Sequence, residues 1–241
     1  MNVIHKESEN SGTFKNSLFF SKAHLQKLRS NMNVKEITQG TFLFREGDPA
    51  TKFYFLEQGA VKLTKSAREG RELFIHCFRS GDLFGETEGL RMKTNSFHAQ
   101  CIEHTVVGII NQEDLQLLLR DNGEFAAEFI RWMGWIQRFT QMKIRDLLFF
   151  GKTGALASTL VRLVNTFGID EGAYIRFSVH FTNSELANMI GATRETVNRM
   201  LHDLKKQNII GYQGTEITVY NIEALREMCQ CERCPIEVCR L

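Results

Sequence analysis

The sequence predicts an α+β protein: an antiparallel β-roll, then a long helix suited to pairing with a second copy, then a small helical domain closed by a β-hairpin. Three observations predict it. Short apolar and aromatic runs separated by glycines fill the first half, a helical apolar period begins after Asn122, and two capped helices followed by a hairpin stand near the end. The length of 241 residues fits one large or two modest domains, and 43% hydrophobic content suffices for packed cores.

Residues 1–16 are polar and read as a flexible arm, too poor in apolar surface to order themselves. The roll is assigned to 17–121. Runs such as Thr41-Phe-Leu-Phe44, Phe53-Tyr-Phe-Leu56, Ala60-Val-Lys-Leu63, Leu73-Phe-Ile-His-Cys-Phe78 and Val106-Val-Gly-Ile-Ile110 alternate with turn glycines at Gly40, Gly47, Gly59, Gly70, Gly81 and Gly85. The long helix takes 122–150. Phe125, Phe129, Trp132, Ile136 and Phe139 recur in a/d rhythm, and Ala126, Ile130 and Met133 make a second apolar face. One face is expected on the roll and one on a partner, with the aromatic stripe long enough to make a homodimer. Heptad steps beyond Phe139 reach Lys143 and Asp146, so a carboxylate extends the apolar stripe where burial without a partner is unfavourable.

The next section, 151–228, opens on a helical segment, Leu156-Ala-Ser-Thr-Leu-Val-Arg-Leu-Val164. Thr182-Asn-Ser-Glu185 is a capping box that starts a short helix, Gly191 permits a tight turn, and Thr193 caps a second helix from Arg194 to Lys206. Val197, Leu201 and Leu204 form its inner stripe, while Arg194, Glu195, Asn198 and Arg199 share the outer N-terminal face. The run Ile209–Tyr220 turns at Gly214 as a hairpin, and a last helix, Ile222 to Met228, follows the cap Asn221. A helix-turn-helix followed by a hairpin is winged, and its second helix is the element that enters a groove of double-stranded DNA. Thr182, Ser184 and Thr193 stand at helix starts, where phosphates are held.

Net charge of +2, from 30 basic and 28 acidic residues, neither requires nor excludes nucleic acid. The first residues lack the apolar core of a signal peptide, and no uninterrupted apolar run approaches membrane-spanning length, which points to a cytoplasmic protein without a membrane partner. No nucleophile–base constellation or phosphate-binding glycine loop suggests an enzyme. His76, His98 and His104 lack a metal-like grouping, and Cys77 and Cys101 read as small buried hydrophobes.

Four of the six cysteines lie in the segment 229–241, as Cys229, Cys231, Cys234 and Cys239. The spacing Cys231-x2-Cys234-x4-Cys239, with Pro235 after the middle cysteine, is similar to iron–sulfur runs whose short loops let several sulfurs converge on one cluster. Zinc tolerates similar loops, and redox thiols or a disulfide framework remain further readings.

The order of roll, long helix and winged helix-turn-helix resembles the family of the cyclic-AMP receptor protein and the fumarate and nitrate reduction regulator (FNR). The likeness covers about residues 17–228. Its most specific pieces are Arg45-Glu-Gly-Asp48 leading into Phe55-Leu-Glu-Gln-Gly-Ala-Val-Lys-Leu63, Ser80-Gly-Asp-Leu-Phe-Gly-Glu86, and Thr193-Arg-Glu-Thr-Val-Asn-Arg199. The roll is thereby cyclic-nucleotide-binding-like. The tail looks like that of FNR regulators of Gram-positive bacilli, whose cluster cysteines are C-terminal, and no cysteine precedes Cys77 here. That resemblance implies one [4Fe–4S] cluster per chain on Cys231, Cys234, Cys239 and Asp146, with Cys229 an additional thiol; zinc is the alternative metal. It implies an oxygen-responsive regulator of anaerobic metabolism that meets RNA polymerase. It also implies that Arg194, Glu195 and Arg199 read a palindrome of TGTGA and TCACA. Within the family, nucleotide-binding members carry glycine, glutamate and an Arg-Ser pair. This chain keeps Gly85 and Glu86, but Asn95 replaces the arginine before Ser96, and Lys93 is a poor geometric substitute, so cyclic nucleotide is not expected as effector. A zinc- or thiol-dependent regulator and a cyclic-nucleotide-responsive one are the alternative functions.

Overall fold

A computed structural model describes residues 15–66, 72–86 and 93–241; of the arm expected over 1–16, all but the last two residues lie outside them. Eight strands among the described residues build the roll: β1 (Asn33–Ile37), β2 (Phe42–Phe44), β3 (Lys52–Gln58), β4 (Ala60–Ser66), β5 (Glu72–Arg79), β6 (Leu83–Phe84), β7 (His98–Cys101) and β8 (Thr105–Asn111). They form two four-stranded antiparallel sheets, ordered β1-β8-β3-β6 and β2-β7-β4-β5. The period of two in β3 divides its aromatic run between two cores. Tyr54 and Leu56 face the space between the sheets with Phe44, Val61, Phe84 and Val107. Phe53 and Phe55 face outward, yet are as buried, because a helix covers them.

Two helices went unforeseen. Helix α1 (Lys22–Ser30) starts at Ser21, whose hydroxyl accepts from the His24 amide at 3.2 Å, and α2 (Gln112–Arg120) follows β8 with no glycine or proline to mark the change. Next comes α3 (Gly123–Phe167), started by Asn122 and interrupted at Gly151, whose φ of 56° and ψ of −162° suit only glycine. The two lengths on either side of Gly151 serve different domains.

The expectation about helix faces needs correcting. The aromatic stripe Phe125, Phe129, Trp132 and Phe139 does not await a partner: Phe125, Phe129 and Trp132 pack with Phe20, Phe53 and Phe55 of the same chain, Phe139 is also buried, and Trp132 is only 4% exposed. The Phe53 ring lies against both Phe129 and Trp132, at 5.6 and 5.5 Å between centroids. The outward face carries Ile130, Met133, Ile144 and Leu148, continued by Leu147 and Phe149, all exposed. α3 also contains an 18-residue window of mean hydropathy 1.4, long and apolar enough to cross a membrane, which a search for uninterrupted runs overlooks. Within the fold 56% of that window is buried, as the core helix of a packed domain is.

The end of α3 joins β9 (Gly168–Asp170), β10 (Ile175–Phe177), α4 (Asn183–Met189), α5 (Arg194–Lys206), β11 (Ile210–Gln213), β12 (Glu216–Val219) and α6 (Ile222–Met228). The four strands pair as β11-β12-β10-β9, with the wing turning at Gly214 (φ 62°). Leu156, Leu160, Leu186, Val197, Leu201, Leu204 and Leu225 make the core beneath.

Candidate DNA interface and cysteine centre

The recognition surface is built by caps. The Thr182 hydroxyl accepts from the Glu185 amide at 3.2 Å while the Glu185 carboxylate accepts from the Thr182 amide at 2.8 Å, completing the capping box of α4. The Thr193 hydroxyl accepts from the Thr196 amide at 3.2 Å and opens α5. Burial of Val197, Leu201 and Leu204 then turns Arg194, Glu195, Asn198 and Arg199 to solvent, and Thr182, Ser184 and Thr193 are exposed at the two helix starts. Asn198 is bonded to the Asn183 side chain, which ties the two helices across their turn. The amide of Glu195 and the Thr193 hydroxyl hold the Glu195 carboxyl below its ordinary range, so it is an ionised acceptor. Beside this surface lies a cleft of about 480 Å³, walled by Ser66 and Glu72 of the roll on one side and by Ser184, Thr193 and Arg194 on the other.

Beyond α6 the chain folds back so that Cys229, Cys231, Cys234 and Cys239, all free thiols, line one small cavity with Arg145 and Arg162. Burial pushes the Cys229 thiol up to about 12, with Cys231 and Asp146 adding to the rise and Arg145 opposing it. Burial likewise raises Cys239, against the pull of Arg162. Such thiols keep their protons until a metal displaces them. The cavity, about 10 Å³, is the room of a single water, so a larger group requires the thiols to swing outward. Among the described residues no three His, Cys, Asp or Glu side chains converge on a point as a single metal ion needs. Zinc demands every sulfur about 2.3 Å from one centre, whereas a cluster carries its ligands on separate iron corners.

Asp146 does not line that cavity; it is buried one guanidinium away. Its Oδ1 accepts from Arg145 Nε at 3.1 Å and Nη2 at 2.8 Å, and its Oδ2 accepts from Arg162 Nη2 at 3.1 Å and from the Ser158 hydroxyl. The same arginines reach the tail. Arg145 Nη1 lies 2.5 Å from Glu232, and Arg162 Nη1 donates to the carbonyl of Val238 at 3.1 Å. The free thiols therefore fit an iron–sulfur group in donor chemistry, with two guanidiniums placed to balance its charge. Asp146 fits only if one oxygen gives up an arginine or serine contact. Arg145 and Arg162 were missed from sequence, because a lone arginine in a helix carries no local mark of its partner.

In the roll, Gly85 adopts φ of 147°, and a Cβ there would meet the Phe53 ring at 2.8 Å. The Glu86 carboxylate accepts from the Ser96 amide at 2.8 and 3.0 Å. Asn95, buried, donates to the carbonyls of Asp48 and Pro49 at 3.3 Å each, so its amide is spent on the backbone. Residues 87–92, between these groups, lie outside the described residues.

Residues 34–122 match the cyclic nucleotide-binding domain family and residues 154–228 the Crp-like helix-turn-helix domain family. The chain is similar to the anaerobic regulatory protein of Bacillus subtilis, 36% identical over 219 residues that cover 89% of this chain and 91% of that one. To the CRP-like cAMP-activated global transcriptional regulator of Mycobacterium tuberculosis it is 27% identical over 198 residues, 82% and 88% of the two chains. Its fold is that of CooA from Carboxydothermus hydrogenoformans, with a TM-score of 0.72 at 18% identity over 84% of this chain and 90% of that one. The c-di-GMP-responsive regulator CLP of Xanthomonas campestris gives 0.71 at 22% identity over 83% and 99%.

Proposed function

This chain belongs to the Crp/FNR family of transcription regulators, and on that footing we propose that it is an oxygen-responsive, dimeric regulator whose cysteine tail holds one [4Fe–4S] cluster per chain. One observation carries the reading: four free thiols share a cavity flanked by the two arginines that hold Asp146. Cys231, Cys234 and Cys239 would be the sulfur ligands and Asp146 the oxygen ligand, with Cys229 beside them. When bound, the cluster would supply an oxygen-labile group held by residues of both tail and helix. Arg145 and Arg162 would balance the charge of the thiolates as they do that of the carboxylate, and Ser158 orients Asp146. The Bacillus subtilis relative is an anaerobic regulatory protein, which favours oxygen as the signal.

The outward face of α3, from Ile130 to Phe149, would meet its counterpart in a second chain and set two α5 helices on successive turns of DNA. Arg194 and Arg199 would donate to guanine edges and Glu195 accept from a cytosine amine in TGTGA/TCACA half-sites, while Thr182, Ser184 and Thr193 hold phosphates and Asn198 steadies the surface. RNA polymerase is then the further partner. Asn95, bound to backbone carbonyls, offers a cyclic phosphate no guanidinium.

Purification without oxygen, with iron and sulfide counted, tests the reading. The expected protein is brown, with equal iron and sulfide; Cys234→Ala loses both and Cys229→Ala keeps them. Stoichiometric zinc without sulfide would refute it.

A further inference from the structure

The tail does more than present thiols. Asn165 Nδ2 donates to the carbonyl of Cys239 at 2.6 Å, and the amide of Leu241 donates to the Thr166 hydroxyl at 3.1 Å, so both residues are fastened to the winged half of α3. Arg240, between them, points the other way: its Nη2 lies 3.2 Å from each carboxylate oxygen of Asp82 in the roll. Asp82 is itself fixed by the amides of Asn16 at 2.7 Å and Arg79 at 2.9 Å. Arg240 is 4% exposed and Asp82 1%, so the pair is shielded from water and salt. The tail also touches the other half of α3, where Trp135 Nε1 donates to the carbonyl of Glu237 at 2.8 Å.

Along the same seam α4 packs on β5, and Ser66 and Glu72 stand across the cleft from Ser184, Thr193 and Arg194. Of the residues assigned to DNA, Ser184, Thr193 and Arg194 line the cleft, so a phosphate held by them would face the Glu72 carboxylate, which accepts from Lys62 and Thr64. The arrangement that Arg240 secures therefore sets a carboxylate of the roll opposite the helix starts. We propose that Arg240 is a positioning residue: through Asp82 it clasps the winged domain to the roll and keeps DNA off α5 until the tail moves. Cys239 is its chain neighbour, about 3.8 Å away between Cα atoms, so gathering Cys239 with Cys231 and Cys234 pulls directly on the clasp. The inference rests on the DNA reading of α5 and holds for whichever metal the thiols take.

The test compares the full-length parent, Arg240→Ala and Arg240→Lys, each with its metal and stripped of it, by gel shift on a TGTGA/TCACA duplex without oxygen and by hydrogen exchange of residues 72–79 and 183–189. Asp82 keeps its two backbone donors, so the roll should fold in Arg240→Ala. The expected result is a metal-free Arg240→Ala that binds at least about tenfold more tightly than the metal-free parent, with faster exchange at the seam and unchanged affinity of the loaded form. Arg240→Lys, which keeps the charge, should behave as the parent. Unchanged seam exchange in Arg240→Ala, or equal loss of affinity in loaded and stripped forms, overturns the clasp. If no form binds the duplex, the DNA reading has failed, and exchange at the seam alone decides the clasp.

Discussion

Replacing Asp146 by alanine should destabilise the protein even when no metal is bound. The carboxylate is 4% exposed and the Arg162 guanidinium beside it 5%, so their attraction is poorly screened and neither reaches water when the other is removed. Deleting one partner of such a buried pair costs about 3–5 kcal/mol, because the remaining charge stays desolvated. Arg145 adds less, since it is 18% exposed and keeps Glu232. Urea unfolding of metal-free protein followed by circular dichroism would read the loss at neutral pH. The double variant Asp146→Ala/Arg162→Met should recover most of it, because the buried Arg162 charge is then no longer left without its partner. A metal-free Asp146→Ala within about 1 kcal/mol of the parent would refute the argument and leave Asp146 a ligand without structural duty. The distinction matters, since loss of function in Asp146 variants has two separable causes here.

The outward face of α3 predicts that Leu148→Arg yields a monomer in sedimentation, while Trp132→Ala keeps the association state but loses about 3–5 kcal/mol of stability. Arg199→Ala should lower affinity by about 1–3 kcal/mol and relax preference at one guanine of each half-site, seen by gel shift on substituted duplexes. His76 is 3% exposed and neither ring nitrogen has a hydrogen-bond partner among the described residues, and burial, with Arg240, Lys143 and Arg162 nearby, holds its pKa well below the usual value. It stays neutral when folded and takes a proton on unfolding, so its contribution is present above about pH 6.5 and lost below, by up to about 1.4 kcal/mol per pH unit. His76→Leu should therefore flatten the fall in stability between neutral pH and pH 5 in urea titrations.

What the sequence determined was local. Caps at Thr182, Thr193 and Asn221 each bind an amide three residues on, so residue type and spacing suffice to place α4, α5 and α6. The glycine-punctuated aromatic runs likewise announced the roll, because turns and period-two burial are properties of short stretches. The division of α3 between a face for the roll and a face for solvent was not legible: Phe125 to Phe139 and Ile130 to Leu148 both run at helical spacing, and only the shape of the roll decides which it accepts. Asp146 stood out as a carboxylate on an apolar stripe, but its arginines did not. The pairing of Arg240 with Asp82, 158 residues apart, leaves no trace in either neighbourhood. Tertiary structure alone brings such groups together, since an ion pair between distant residues imposes no pattern on the chain that separates them.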